Sequence, residues 1–212
     1  MIPEIKICGI TNFEDANNAV TLGAKFLGLN FFADSPRFLS IIDAVKLSQK
    51  IKNQLPKINL VGVFVNEQKS FVTKTAELCS LDTLQFHGNE SSDFCESFSQ
   101  KVWRAFRVRN ENSLKDLQYF SKLDGIMLDA YRQDQFGGTG QTFNWQLIES
   151  IRDQIPNLIL SGGISSENIT DAIKKLHPNI VDVCSGVESI KNSRRKDFTK
   201  LKKLFEAVLS TR

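Results

Sequence analysis

A cysteine near the start of the chain and an aspartate past its middle are the residues whose types point most directly to chemistry. Cys8 follows the β-branched run at residues 4–7, and Asp129 follows the apolar run at 125–128. A thiolate serves as a base or a nucleophile, and a carboxyl group serves as an acid. Since each residue comes where a strand would end, both have the position that catalytic groups take in parallel α/β enzymes.

Structural interpretations of the two residues remain open beside the catalytic one. A free cysteine in a strand is usually a small buried hydrophobe, and an acid after a strand often serves only a turn or a cap. The segment after Asp129 holds Gly137, Gly138 and Gly140, a glycine-rich loop able to fold over whatever meets the acid. This arrangement favours the catalytic interpretation without deciding it.

Arg37 and His87 are further candidates for the site. Arg37 follows Pro36 in a polar loop, where a guanidinium could bind a carboxylate in two places, although an exposed arginine is commonly only solvated. His87 could be an acid or a base, or it could simply pack at the rim. Only His87 and His177 are present, neither beside a suitably spaced carboxylate, and the four cysteines form no CxxC pair. We therefore expect no metal site and no disulfide framework.

Two glycine turns suggest a site for an anion. Gly162 and Gly163 follow the apolar run at 158–160, and Ser185 and Gly186 follow the run at 180–183. Glycines permit tight turns in any case, but here they also leave backbone N–H groups unobstructed by side chains. Paired turns after consecutive strands suit a phosphate monoester.

Eight apolar runs alternate with amphipathic segments along the whole chain. The predicted strands cover residues 4–7, 26–31, 58–65, 82–86, 102–106, 125–128, 158–160 and 180–183. The predicted helices begin at Thr11 or Asn12 and reach Leu22, and then cover 41–51, 68–78, 91–98, 113–120, 143–154, 167–176 and 197–209. Strict alternation predicts an α/β fold with a parallel sheet, and eight units favour a single (β/α)8 TIM barrel domain spanning residues 1–212. An open doubly wound sheet is the alternative, but no GxGxxG fingerprint follows the first strand.

The amino-acid composition and the net charge limit the kinds of partner that the protein could bind. Hydrophobic residues make up 41% of the chain and charged residues 24%, which is ordinary for a soluble globular protein. The net charge of +3 comes from dispersed basic residues without interleaved aromatics, so we expect no nucleic-acid binding. The N-terminal residues contain no long apolar stretch, so we expect no membrane span and a cytoplasmic location.

Seven segments carry a resemblance to a known family. They are KICGIT at 6–11, GVFVN at 62–66, QFHG at 85–88, LDA at 128–130, GGTGQTFNW at 137–145, LSGGI at 160–164 and VDVCSGVE at 181–188. In this order they resemble phosphoribosylanthranilate isomerase, from the first strand to the last. The resemblance implies a cofactor-free Amadori rearrangement of a phosphorylated substrate in tryptophan biosynthesis, by a monomer or a homodimer.

The resemblance also implies residue roles. Asp129 would be the general acid and Cys8 the general base, Arg37 would hold the anthranilate carboxylate, and the turns at Gly162, Gly163, Ser185 and Gly186 would hold the phosphate. From its position after the fourth strand, we also expect His87 to contact the substrate. The chain departs from the family at three positions, with Gln141 where lysine is common, Asn144 where aspartate is common, and Cys184 where serine is usual.

Other functions remain as alternatives. The related histidine-pathway isomerase would have a carboxylate where Cys8 stands, and indole-glycerol-phosphate synthase would have a lysine at a strand end and an N-terminal extension. Neither pattern is expected from this sequence. A catalytically silent barrel that binds a phosphorylated metabolite or a partner protein is a different class of hypothesis.

Overall fold

Eight parallel strands close into a barrel in the computed structural model, which describes residues 2–130 and 145–211. The strands are β1 Glu4–Ile7, β2 Phe26–Asn30, β3 Asn59–Phe64, β4 Thr83–Phe86, β5 Lys101–Val108, β6 Gly125–Ala130, β7 Leu158–Ser161 and β8 Ile180–Val183. Each strand pairs with the next, and β8 pairs with β1, so the predicted TIM barrel is confirmed and the open sheet is wrong.

The α-helices lie around the barrel. They are α1 Phe13–Leu22, α2 Ile41–Gln54, α3 Lys69–Cys79, α4 Ser92–Glu96, α5 Trp145–Glu149, α6 Ile169–Leu176 and α7 Phe198–Leu209. Side chains that accept backbone N–H bonds begin several of them, including Asn12 for α1, Ser40 for α2 and Asp197 for α7. No helix among the described residues has the length and apolar character needed to cross a bilayer.

The alternation of side chains along each strand divides the barrel into two regions. Apolar residues facing outward pack under the helices in one large cluster, while Trp103, Met127, Ile159 and their neighbours form a second cluster inside the barrel. Because successive residues point to opposite faces, Asp129 lies on the same face as Met127 and one layer higher. The interior is thus apolar toward the amino ends of the strands and polar toward their carboxyl ends.

Three helices differ from the prediction. Residues 113–120 form no α-helix; two 3-10 turns, Glu111–Leu114 and Leu117–Phe120, take its place. The apolar residues Leu114, Leu117 and Phe120 recur every three residues, which matches the three residues per turn of a 3-10 helix.

The other differences concern lengths and one small sheet. α4 is shorter than the predicted 91–98, and α5 is followed by a separate 3-10 turn, Arg152–Gln154, in place of one helix reaching 154. After β8 the strands β9 Glu188–Ser189 and β10 Asn192–Lys196 form an antiparallel pair that the sequence analysis did not predict. This pair brings Lys196 back over the mouth of the barrel.

Candidate active site

Cys8 lies at the carboxyl end of β1, on the inner face of the barrel and 8% exposed. Its sulfur lies above Gly28 of β2, where a Cβ atom would stand only 2.8 Å from that sulfur and 3.2 Å from Lys6 Cε. Glycine at this position therefore leaves room for both side chains. A hydrogen bond from Cys184 and the positive charge of Lys6 lower the pKa of Cys8 to about 6, although burial opposes the shift. The group is a thiolate at neutral pH.

Lys6 is fully buried in the barrel interior, one layer below Cys8. Its ammonium group donates to Gln85 Oε1 at 2.8 Å and to Asp182 Oδ1 at 2.9 Å. The sulfur of Cys8 lies beside this charge, one layer higher. The Asp182 carboxylate and the Cys8 sulfur raise the pKa of Lys6 against the effect of burial, so the lysine stays charged beside the thiolate.

A chain of polar contacts continues from Lys6 to the acid. Gln85 Nε2 lies 3.4 Å from His87 Nδ1, and His87 Nε2 lies 3.1 Å from Asp129 Oδ2. Because Gln85 Oε1 accepts from Lys6, its amide nitrogen faces His87 and donates to Nδ1. His87 then donates from Nε2 to Asp129, so Cys8 and Asp129 belong to one connected polar layer.

Arg37 lies in the loop after β2 and forms a bidentate ion pair with Glu188 at the start of β9. Its Nε and Nη2 donate to Glu188 Oε1 and Oε2 at 2.9 and 2.5 Å. Lys196 Nζ also contacts Glu188 Oε1, at 3.0 Å. Burial alone would raise the pKa of Glu188, but the hydrogen bond from Arg37 and the charge of Lys196 outweigh it and lower that pKa. The arginine is thus held in one orientation, and no described residue accepts from its Nη1.

The two glycine turns lie side by side after β7 and β8. Gly162 and Gly163 have φ of +89° and +64°, in the left-handed region that glycine favours. A Cβ on Gly186 would collide with the carbonyl oxygen of Ile164, so this glycine permits close contact between the turns. Within residues 2–130 and 145–211, no group accepts a hydrogen bond from the backbone amides of Gly162, Gly163, Ser185 or Gly186. These donors suit an anion.

Cavities lie at both ends of the barrel. One of about 390 Å³ at the carboxyl ends of β3 to β5 is lined by Asn66, His87 and Arg107 among others. Cavities of about 420 and 470 Å³ lie toward the amino ends of the strands, away from Cys8 and Asp129. No cluster of three or more His, Cys, Asp or Glu side chains suited to a metal ion occurs in the described part of the chain.

The structure brings the sequence-predicted residues to one end of the barrel, with one group outside the described residues. Cys8, Arg37, His87, Asp129 and the glycine turns all lie at or just beyond the carboxyl ends of the strands. Gly137, Gly138, Gly140, Gln141 and Asn144 fall at 131–144, which the structure does not describe.

Sequence reasoning missed the buried charges that support the site. Lys6, Gln85 and Asp182 lie inside predicted strands and were treated as parts of apolar runs, and Glu188 was treated only as part of a motif. One signal was available in the sequence: Lys6 stands two positions before Cys8, and Asp182 stands two positions before Cys184. Such charges, when buried, have to be paired.

Comparison with known proteins agrees with this arrangement. Residues 5–207 match the family model of N-(5'phosphoribosyl)anthranilate (PRA) isomerase. The isomerase of that name from Pelobacter propionicus is 38% identical, covering 99% of this chain and 97% of the relative. That of Geotalea uraniireducens is 43% identical, covering 88% and 89%.

Solved structures give the same result. The crystal structure of phosphoribosyl anthranilate isomerase from Thermotoga maritima has a TM-score of 0.89 and 35% identity, covering 98% of this chain and 99% of that one. A structure of such an isomerase with reduced 1-(o-carboxyphenylamino)-1-deoxyribulose 5-phosphate has a TM-score of 0.86 and 34% identity, covering 98% and 99%. The chain therefore belongs to the N-(5′-phosphoribosyl)anthranilate isomerase family, enzymes of tryptophan biosynthesis.

Proposed function

We propose that this barrel catalyses a cofactor-free Amadori rearrangement of N-(5-phosphoribosyl)anthranilate, with Asp129 as the general acid and Cys8 as the general base. The product is 1-(2-carboxyphenylamino)-1-deoxyribulose 5-phosphate. The observation that carries the proposal is the connected polar layer, in which Lys6, Gln85 and His87 join a thiolate on one side of the barrel to a carboxyl group on the other.

The acid step begins at Asp129. Protonated Asp129 gives its proton to the furanose ring oxygen, the bond from that oxygen to C1′ breaks, and the nitrogen lone pair forms a Schiff base. His87 donates to Oδ2 of Asp129, which leaves Oδ1 to carry the proton and face the sugar. The Asp129 side chain is 26% exposed, so it is open to a ligand at the mouth of the barrel.

The base step follows at Cys8. Its thiolate removes the proton from C2′ of the Schiff base, the electron pair moves toward the nitrogen, and the resulting enolamine tautomerises to the ketone. Lys6 favours the thiolate by its charge. Gln85 and Asp182 hold the ammonium group of Lys6 in place beside the sulfur.

Arg37 would bind the anthranilate carboxylate. Glu188 occupies Nε and Nη2, so a substrate carboxylate would meet Nη1 and the remaining proton of Nη2. The pair with Glu188 fixes the guanidinium before the substrate arrives, which reduces the entropy lost on binding.

The substrate phosphate would lie between the two glycine turns, where four backbone amides have no acceptor among residues 2–130 and 145–211. The position after β7 and β8 is the one at which TIM barrels commonly bind phosphate. We further propose that residues 1–212 act as one domain, as a monomer or a homodimer in the cytoplasm; a related isomerase from Thermotoga maritima is described as dimeric.

The direct test is to add purified protein to freshly made N-(5-phosphoribosyl)anthranilate, with a chelator present, and to follow the loss of anthranilate-type fluorescence. The proposal predicts a loss whose rate is proportional to protein concentration and which forms the ketose phosphate. A protein that binds the product analogue without consuming substrate would be the catalytically silent barrel.

A further inference from the structure

Two of the four cysteines lie next to each other at the ends of neighbouring strands. Ile7 of β1 is paired with Val183 of β8, and the Cys8 amide donates to the Val183 carbonyl at 2.9 Å, so the ladder continues one residue further. Cys8 is therefore beside Cys184. Neighbouring strands are about 4.8 Å apart, and a disulfide accepts Cα separations of roughly 4.4–6.8 Å.

The two thiols also point to the same face of the sheet. Lys6 and Asp182 precede them by two residues on the same strands, and their side chains meet inside the barrel at 2.9 Å. Since side chains alternate along a strand, Cys8 and Cys184 face inward one layer higher. Each thiol shifts the pKa of the other, as neighbouring groups do, and Cys184 Sγ also lies 3.5 Å from Glu188 Oε1.

Reactivity distinguishes Cys8 from the remaining cysteines. The pKa of Cys8 is lowered beside Cys184 and the charge of Lys6. Cys184, whose Sγ lies 3.9 Å from Lys196 Nζ, is the protonated partner, because its contact with Cys8 and its burial raise its own pKa. Cys79 and Cys95 are fully buried on α3 and α4, and burial raises the pKa of both thiols. Thiolate character and access determine which cysteine an oxidant attacks. Cys8 lies at the carboxyl end of β1 and retains 8% exposure, whereas Cys79 and Cys95 have none.

We infer that Cys8 and Cys184 form an oxidation site for hydroperoxides, which converts the two thiols into a reversible disulfide across the barrel mouth. The Cys8 thiolate attacks a peroxide oxygen, the O–O bond breaks, and the leaving oxygen takes a proton, which leaves a sulfenic acid on Cys8. The Cys184 sulfur then attacks the sulfur of Cys8, and the displaced hydroxide leaves as water with the Cys184 proton. Two thiols and one hydrogen peroxide thus give one disulfide and two molecules of water.

The disulfide also has a consequence for turnover, and this part rests on the proposed function. A sulfur joined to Cys184 can no longer accept a proton from C2′, so the oxidised enzyme is inactive until a thiol reduces it. Formation of the bond depends on the positions of the two sulfurs and is independent of the reaction that the enzyme catalyses.

The test treats the reduced, full-length enzyme with a small molar excess of hydrogen peroxide and digests it with trypsin without reductant. We expect a linked pair of peptides, 7–25 and 176–191, each containing one of the two cysteines. The intact protein should lose two hydrogen atoms in mass. Activity should disappear with the same time course and return after dithiothreitol.

Matched variants test whether the disulfide requires Cys184. Cys184→Ser and Cys184→Ala should form no linked peptide. In these variants Cys8 should be oxidised further to sulfinic acid, which dithiothreitol does not reduce. Dithiothreitol should therefore restore little of the activity that each variant had before peroxide treatment. Cys79→Ala should behave as the unmodified enzyme does.

Absence of the linked peptide in the treated wild-type enzyme, with Cys8 unmodified or only sulfinylated, would overturn the inference. A linked peptide in an enzyme that remains fully active would leave the oxidation site standing and would refute the role of Cys8 as the base.

Discussion

The two sides of the site hold their reactive groups in different ways. On the side of β1 and β8, Cys8 is 8% exposed and is held by a buried lysine and a second thiol. On the side of β4 and β6, the Asp129 side chain is 26% exposed and has His87 as its partner. The proposed base is surrounded by a second thiol and a buried charge, whereas the proposed acid has one hydrogen bond near solvent. Changes on the first side should therefore alter pH dependence strongly, and changes on the second side should alter it less.

Removing either reactive group should give the largest effect. We expect Cys8→Ser and Asp129→Asn each to lower kcat by at least roughly a hundredfold, the usual scale for losing an acid or a base. Stopped assays of ketose phosphate formation, with circular dichroism to verify folding, provide the measurement. Cys79→Ala, which removes a thiol far from the mouth of the barrel, serves as the control. Near wild-type rates in both reactive-group variants would reject the assignment.

Lys6→Met tests whether the buried lysine controls the pH dependence on the Cys8 side of the site. Thiolate is lost as pH falls through the pKa of Cys8, so kcat/KM of the wild-type enzyme should decline below pH of about 6. Without the ammonium that pKa should rise, while the effect of Cys184 remains. We therefore expect kcat/KM at neutral pH to fall by up to roughly thirtyfold, the limit set by an ordinary thiol pKa near 8.5, and to recover at higher pH. The measurement is the pH profile of kcat/KM.

Measurements of the unfolding free energy distinguish the change in the Cys8 pKa from damage to the fold. Lys6→Met leaves Asp182 buried without its partner, which should cost about 3–5 kcal/mol of unfolding free energy. Lys6→Met combined with Asp182→Asn should regain much of that stability while the raised pKa of Cys8 remains. Lys52→Met, which breaks the half-exposed pair with Asp82, should leave the pH profile unchanged. If Lys6→Met also left it unchanged, the electrostatic account of the base would be wrong.

Arg37→Ala should affect substrate binding more than chemistry. We expect KM to rise about tenfold, the scale of a charge-assisted hydrogen bond, with a smaller change in kcat. Inhibition by inorganic phosphate should weaken much less, because phosphate is assigned to the glycine turns. Equal losses for the substrate and for phosphate would count against the carboxylate role.

His87→Asn should have the smallest effect of the four predicted changes. It alters the hydrogen-bond partner of Asp129. The shorter side chain cannot bridge Gln85 to Asp129, and loss of one hydrogen bond of about 1 kcal/mol predicts a roughly fivefold decrease in kcat. The acidic limb of the pH profile, assigned to Cys8, should stay in place. His177→Asn, which changes the only other histidine in the sequence at the end of α6, is the matched control. A hundredfold loss would show that His87 itself carries a proton in the reaction.

The strands and the candidate positions at their ends were predictable from the sequence because apolar runs and strand-end residues are local features. β1 and β8 begin and end where predicted, since both runs are bounded by polar residues or turns. The 3-10 turns after β5 were not predicted because their apolar spacing was assigned the period of an α-helix.

Pairings across the barrel were not predictable in the same way. Lys6 meets a residue 79 positions away and another 176 positions away. Both contacts depend on closure of the barrel and on strand register, which no local pattern contains. The alternation of side chains identifies inward positions only after closure is known.

The most direct test of the central claim is a titration of the Cys8 thiolate by its ultraviolet absorbance, taken as the difference between the wild-type enzyme and Cys8→Ser. The buried network predicts a thiolate that is already formed at neutral pH and is lost only on acidification toward the lowered pKa. A difference signal that appears only near the ordinary thiol pKa of about 8.5 would contradict the account.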